Sequence, residues 1–317
     1  MTLLNKLTAV IAFVICALCV PCVAQTENQS KYPPPGRLVD VGGYRVHINC
    51  TGTGSPTVLI VGSGYSFDWG LVQPDASKTT QVCTYDTAGS AWSDPGPVPT
   101  CSGRIAEIHN LLNNAGIKGP VVLVGHSIGA VFARLYASRY PDEVTGVVMV
   151  DHAATFRIVP GPPGASTTPP PGAIITTGPQ SGPPPFVPQI GTFEDQPAFQ
   201  KLPVIDREMH IWASSLPSRQ TPRKQREFFD QCVSDVNGTT EVRPDPLGNM
   251  PLVVISTALN VPDYVNLQTK LLALSHNSKQ IIAEKSGHIV FLDQPEVIVA
   301  AIDQVVEAVK GKSRLKN

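Results

Sequence analysis

A continuous β-branched and leucine run, Val121–Val124, leads straight into Gly125-His126-Ser127-Ile128-Gly129, and a helical pattern follows from Ile128 to Tyr140, closed by Pro141. Few features constrain a fold so tightly. A strand passing into a helix through one Gly-x-Ser-x-Gly turn forces unfavourable dihedrals on its central serine and brings the flanking backbones close, so glycine is needed two residues to either side. Such a turn presents Ser127 Oγ above the carboxyl edge of a sheet, with the Ile128 N–H aimed where an oxyanion would form. Alone, a Gly-x-Ser-x-Gly match arises often by chance. Between a strand and a helix it marks Ser127 as a candidate nucleophile rather than a structural serine.

The neighbouring segments supply the sheet this turn needs. Arg37–Val41 and Tyr44–Asn49 flank Gly42-Gly43 as a hairpin, and Thr57–Val61 and Gln81–Tyr85 read as short strands. Ile105, Ile108, Leu111, Leu112 and Ala115 recur at helical spacing before Gly116, and Gly146–Val150 is the next strand. After a break, Leu252–Ser256 and Lys279–Ala283 read as strands, Val265–Leu274 as a helix and Pro295–Lys310 as a final amphipathic helix. Alternating strands and helices imply an α/β fold whose mostly parallel sheet is covered on both faces.

The break divides the chain. The spacing predicts a first half of the core at 37–152, an inserted cap at 153–250 and a second half at 251–317. Within the insertion, Pro160–Pro188 holds 11 prolines and 5 glycines in 29 residues. Proline lacks the amide donor and fixes φ, so this stretch propagates neither a helix nor a central strand. It is expected to be an extended loop or a lid, with short helices behind it at Asp206–Trp212 and Pro222–Val233.

Residues 1–24 read as a signal peptide: Lys6, an apolar run Leu7–Val20, then Cys22-Val23-Ala24 ahead of Gln25, followed by a polar arm at 25–36. The run of 14 residues falls short of the roughly 20 that span a bilayer. A secreted or periplasmic protein with no membrane span after processing is the expectation. Cleavage would leave Cys50, Cys83, Cys101 and Cys232, an even number compatible with two disulfides in any of three connectivities. No Cys/His spacing suits zinc. A net charge of −1 and 6% aromatic residues offer neither an electrostatic nor a stacking platform for nucleic acid.

A serine at its ordinary pKa needs a base. His288, in Ser286-Gly287-His288 after the last strand, can reach back over the sheet edge. His47 falls inside a strand and His109 on a helix, so both read as structural, and the His126 side chain is expected to point away from Ser127. The base needs a carboxylate on its other nitrogen. Asp151 ends the Gly146–Val150 strand; Asp263 follows the Leu252–Ser256 strand. The short Gly-x-x-Asp turn that would favour the latter is replaced by Ser256-Thr257-Ala258-Leu259, so Asp151 is preferred and Asp263 is the alternative. In the loop after Thr57–Val61, the Ser63 or Gly64 N–H is the candidate second oxyanion donor beside Ile128, with Ser63 preferred.

These residues resemble the α/β-hydrolase family from about Arg37 to Lys310, outside the insertion. Tyr85-Asp86-Thr87-Ala88-Gly89-Ser90-Ala91-Trp92-Ser93 is similar to the family's YDRAGxGxS segment, and Tyr140–Val144 and Leu292–Glu296 also match its wording. Thr87, Ala91 and Ala130 stand where arginine, glycine and glycine are frequent. The resemblance implies an eight-stranded, mostly parallel sheet whose second and fourth strands are neighbours. It thereby implies a Cys50–Cys83 bridge, leaving Cys101–Cys232 to tie the insertion to the core.

The reading that follows is a secreted serine hydrolase cleaving carboxylic esters of small molecules through an acyl-enzyme on Ser127, with no metal or organic cofactor. One alternative is a proline-iminopeptidase-like peptidase, which needs an acidic site for the substrate amine; the insertion offers Glu194, Asp195, Asp206 and Glu208. Another is a non-catalytic binding protein on the same scaffold, since fold alone does not decide function.

Overall fold

The computed structural model describes residues 31–62, 64–152, 193–216, 222–239, 247–258 and 264–316. The leader at 1–24, most of the arm at 25–36, the proline-rich stretch 160–188, Ser63 and Asp263 lie outside the described residues. Gly36–Asn317 clusters as one unit and the residues up to Pro35 as another, in which Lys31 Nζ sits 5.0 Å from the Tyr32 ring centroid.

Eight strands form one sheet: β1 (Arg37–Asp40), β2 (Arg45–Thr51), β3 (Val58–Val61), β4 (Val82–Asp86), β5 (Val121–His126), β6 (Val144–Val150), β7 (Leu252–Thr257) and β8 (Ser278–Ala283). Their spatial order is β1-β2-β4-β3-β5-β6-β7-β8. β2 runs antiparallel to both β1 and β4, and every other adjacent pair is parallel. The β1–β2 hairpin turns on Gly42 and Gly43 at φ 122° and 95°, a region closed to most side chains.

The central strands are apolar on both faces, as a sheet covered on both sides requires. Val121 and Leu123 of β5 and Val147 and Met149 of β6 point into one core; Val122, Val124, Val148 and Val150 point into the other. The first core is closed by α1 (Cys101–Asn114) and α2 (Ile128–Arg139) through Ile108, Leu111, Val131 and Tyr136. Between β6 and β7 run α3 (Val204–Ser215) and α4 (Pro222–Thr239), and α5 (Tyr264–Thr269) precedes β8. The second core is closed mainly by α6 (Pro295–Gly311), whose Ile298, Ile302, Val305 and Val306 recur at helical spacing and are fully buried. Burying each such side chain contributes about 1.5–3 kcal/mol.

Two of the boundaries that differ from the periodicity have a clear local cause. The apolar spacing starts at Ile105, yet α1 begins at Cys101 because Thr100 Oγ1 accepts the Gly103 N–H at 3.0 Å and caps the first turn. The helix expected over Val265–Leu274 stops at Thr269 and tightens into a 3-10 turn, Lys270–Leu274. That winding brings Leu271 and Leu274, three apart, onto one face against the core.

β6 and β7 are direct neighbours although roughly a hundred residues separate them in sequence. Within that segment α4 packs on α2, with Phe228 and Phe132 ring centroids 5.9 Å apart. α3 meets the rim of the sheet through Trp212 and Trp92, 5.4 Å apart. Cys50 and Cys83 face each other in the β2–β4 register and are disulfide-bonded, with Cα atoms 4.0 Å apart. Cys101 at the start of α1 is bonded to Cys232 of α4, Cα to Cα 5.2 Å. Among the described residues no helix is long and apolar enough to cross a membrane.

Candidate active site

Ser127 sits between β5 and α2 at φ 55° and ψ −119°, a conformation that costs of order 1–3 kcal/mol in a non-glycine residue. Its neighbours explain how the turn closes. A Cβ on Gly125 would run into the Ala130 backbone, and one on Gly129 would overlap the carbonyl oxygen of Val61. The start of α2 therefore rests on the end of β3, which brings the loop leaving β3 beside the first amides of α2. Those amides have no partner within their own helix.

Two sheet ends converge on Ser127. Its Oγ lies 3.1 Å from His288 Nε2. The other ring nitrogen, His288 Nδ1, makes a short contact with Asp151 Oδ2. Asp151 is fully buried just beyond β6, at φ 46°, with its amide held by the Ile255 carbonyl of β7 at 2.9 Å. The structure thus brings Ser127, His288 and Asp151 together from the ends of β5, β8 and β6. Asp263 and Ser63, the alternative acid and the preferred second donor, lie outside the described residues.

Three supporting contacts escape a reading of the sequence alone. The end of β7, where the sequence lacks a Gly-x-x-Asp turn, carries Thr257, and its Oγ1 donates to Asp151 Oδ1 at 3.2 Å. His126 turns its side chain toward the His288 loop, and its Nε2–H donates to the His288 carbonyl at 2.7 Å. Burial, with the neighbouring His288, pushes the His126 imidazole down to about 3, so it works as a neutral donor. Asp293 Oδ2 accepts the Gly287 N–H at 3.1 Å and the Ser286 hydroxyl at 3.3 Å, fixing the same loop from below. Thr257 and His126 take their roles from partners 106 and 162 residues away, so local spacing carries no signal for them.

The loop leaving β3 is pinned by two buried carboxylates. Asp86, at the end of β4, accepts the Ser66 N–H at 2.7 Å and the Ser66 hydroxyl at 3.0 Å, and binds His47 Nδ1 at 2.7 Å. Asp68 accepts the Tyr65 N–H at 2.7 Å and faces His210 Nδ1 of α3 at 2.6 Å. Burial raises the Asp68 pKa while His210 counters it. Of the four acids in the insertion, Glu194 Oε1 is 3.3 Å from His210 Nε2, and Asp206 lies against Gly70 with its carboxyl pushed up to about 6 by burial and by Asp68. Asp195 shares the 3-10 turn Phe193–Asp195 with Glu194, and Glu208 is on α3. A cleft of about 550 Å³, lined among others by Val144, Asn249, Pro251 and Lys312, lies at the opposite end of β6 from this constellation.

The same architecture recurs in known proteins. A family model described as alpha/beta hydrolase family matches residues 46–301. The uncharacterised protein YqjL of Bacillus subtilis is 24% identical over 275 residues, covering 84% of this chain and 89% of that protein. The uncharacterised protein C23C11.06c of Schizosaccharomyces pombe is 33% identical over 150 residues, covering 37% of this chain but only 28% of that protein, so the match spans under a third of this relative's length. A solved structure of a thermophilic esterase from Thermogutta terrifontis superposes with a TM-score of 0.60 at 19% identity, covering 86% of this chain and 98% of that one.

Proposed function

The chain belongs to the alpha/beta hydrolase family, and from that premise we propose that it is a serine hydrolase that cleaves carboxylic esters through an acyl-enzyme on Ser127. One observation carries this reading. A serine held in a costly backbone conformation places its hydroxyl 3.1 Å from an imidazole whose far nitrogen meets a buried carboxylate. A serine with only a packing role has no use for that strain.

The chemistry follows from the contacts. Ser127 Oγ attacks the acyl carbon while His288 Nε2 takes its proton and then passes it to the leaving alkoxide. Asp151 fixes the tautomer with the proton on Nδ1 and stabilises the imidazolium, and Thr257 holds the carboxylate still. The Ile128 N–H and a second N–H from the loop after β3, with Ser63 the first choice, receive the oxyanion. Water then takes the place of the alcohol, with His288 again as base.

Two disulfides and the leader at 1–24 support secretion or export to the periplasm. The residues at 153–250 are assigned to a cap over the site, between core halves at 37–152 and 251–317.

Labelling with a fluorophosphonate probe tests the reading directly. The native protein should be labelled and should hydrolyse short p-nitrophenyl esters in preference to amino-acid amides. Both signals should vanish in Ser127→Ala. An unlabelled native protein would leave the scaffold as a binding module.

A further inference from the structure

Asp68 and His210, like Asp86 and His47, form a buried carboxylate–imidazole pair that the steps above leave unused. Asp68 is fully buried in the 3-10 turn Ser66–Trp69, directly after the loop that leaves β3. One of its oxygens accepts the Tyr65 N–H and the other faces His210 Nδ1. The second nitrogen of His210 faces Glu194 Oε1 at 3.3 Å. The ring is held in place by Phe193, stacked at 4.5 Å, and by the edges of Tyr65 and Phe199 at 5.3 and 5.4 Å.

Both ring nitrogens of His210 thus meet acceptors. A neutral imidazole donates from only one nitrogen; the imidazolium donates from both. We propose that His210, as an imidazolium bridging Asp68 and Glu194, is a positioning residue that locks the loop after β3, and the oxyanion donor on it, to helix α3. The proposal rests on the serine-hydrolase reading for what that loop does, though the bridge itself can be tested apart from turnover.

The surrounding groups agree with a cation at this point. From the turn after β3 comes Asp68, from the turn Phe193–Asp195 comes Glu194, from α3 itself comes Asp206, and beside the ring among the described residues stands the Tyr65 phenol, raised by burial. Asp86 lies one layer behind and is occupied by Ser66 and His47. Burial works against charging His210, but Asp68 and Glu194 outweigh it and the imidazole pKa is raised. Above that pKa the Nε2 lone pair faces the Glu194 carboxylate, and this half of the bridge is lost. If His210 is removed altogether, Asp68 loses its charged partner in a site that already favours its protonated form. Its grip on the Tyr65 N–H then weakens from a charge-assisted to a neutral hydrogen bond.

The test compares native protein, His210→Gln and Glu194→Gln in the hydrolysis of a short p-nitrophenyl ester from pH 6 to 10. The histidine ring is followed in parallel by an NMR titration assigned through His210→Gln. In His210→Gln, kcat should fall roughly tenfold, less than the 10²–10³ lost with a whole oxyanion donor. KM should stay nearly constant, and an alkaline limb present in the native profile should be gone. Glu194→Gln should keep that limb but move it, and the His210 titration, to lower pH. A folded His210→Gln with native kcat and an unchanged alkaline limb overturns the proposal. So does a His210 titration that Glu194→Gln does not move, a result that counts even if His210→Gln fails to fold. Loss of labelling and turnover in the native protein would instead remove the serine-hydrolase reading, and the NMR titration would still decide the bridge.

Discussion

Thr257 Oγ1 donates to Asp151 Oδ1 at 3.2 Å across the ends of β7 and β6, while the other oxygen of Asp151 meets His288. The carboxylate comes from one strand and its support from the next. β7 contributes a hydroxyl where an acid could have stood, so the proposed nucleophile, base and acid and the support of the acid come from the ends of β5, β6, β7 and β8.

Asp151→Asn keeps a polar side chain of the same shape but removes the charge and favours the wrong imidazole tautomer. In serine triads that change costs roughly 10⁴ in kcat, and a loss of about that size is expected here. Thr257→Val removes one hydrogen bond to a charged carboxylate, worth about 1.5–3 kcal/mol, so a fall of roughly tenfold or more is expected. Asp263→Asn should stay close to native. Steady-state kinetics of the three variants decide the acid, and a collapse confined to Asp263→Asn would transfer the role there.

Acid should weaken the fold earlier than ordinary carboxylate titration does. Burial holds His126 and His152 down to about 3, against an ordinary value near 6.5. The unfolded chain binds protons at both positions between those values and the folded one does not. The contribution of these two rings is therefore full above about pH 6.5 and is lost as the pH drops toward 3, by at most about 10 kcal/mol for the two together. Urea midpoints measured from pH 7 to 4 should decline from about pH 6. A flat midpoint down to pH 5 would mean that these rings are not buried neutral.

The sequence made some of this legible because a few constraints are local. Gly125, Ser127 and Gly129 announce their turn, since the motif falls within five residues, and continuous apolar runs mark β5 and β6 because both faces of the sheet are covered. The cysteine pairing needed more: only the resemblance made β2 and β4 neighbours, and with them Cys50 and Cys83. His210 shows the limit. A lone histidine on an amphipathic helix reads as packing until Asp68, 142 residues away, stands beside it. Polar side chains take their roles from partners, and partners distant in sequence leave no periodic trace.

Gly129→Ala should separate the elbow from the rest of the fold. A Cβ there overlaps a backbone carbonyl, that of Val61, which cannot rotate away as a side-chain end could. Either β3 or α2 has to shift, at a cost of about 1–3 kcal/mol. The shift falls between Ile128 and the loop after β3, the two proposed donor sites. A thermal melt should show a moderate loss, and fluorophosphonate labelling should slow by more than that loss predicts, because the donors separate while the protein remains folded. Equal, small effects on both would place the donors elsewhere.

The two disulfides should fail in different ways. Cys50–Cys83 links strands already paired residue by residue within the sheet, so its replacement by serines should lower one global transition. Cys101–Cys232 closes a loop of 131 residues and joins α1 to α4, which otherwise meets the core mainly along α2. Chain entropy puts the value of so long a loop at about 5 kcal/mol at most. Opening it releases the inserted segment without breaking any sheet pairing. Limited proteolysis of Cys101→Ser/Cys232→Ser should therefore cut first between 193 and 246, before the core melts, whereas Cys50→Ser/Cys83→Ser should show no early cut there. Native protein denatured without reductant should expose no thiol from these four cysteines. Four free thiols, or identical cleavage of the two double variants, would show that neither bond divides the molecule in this way.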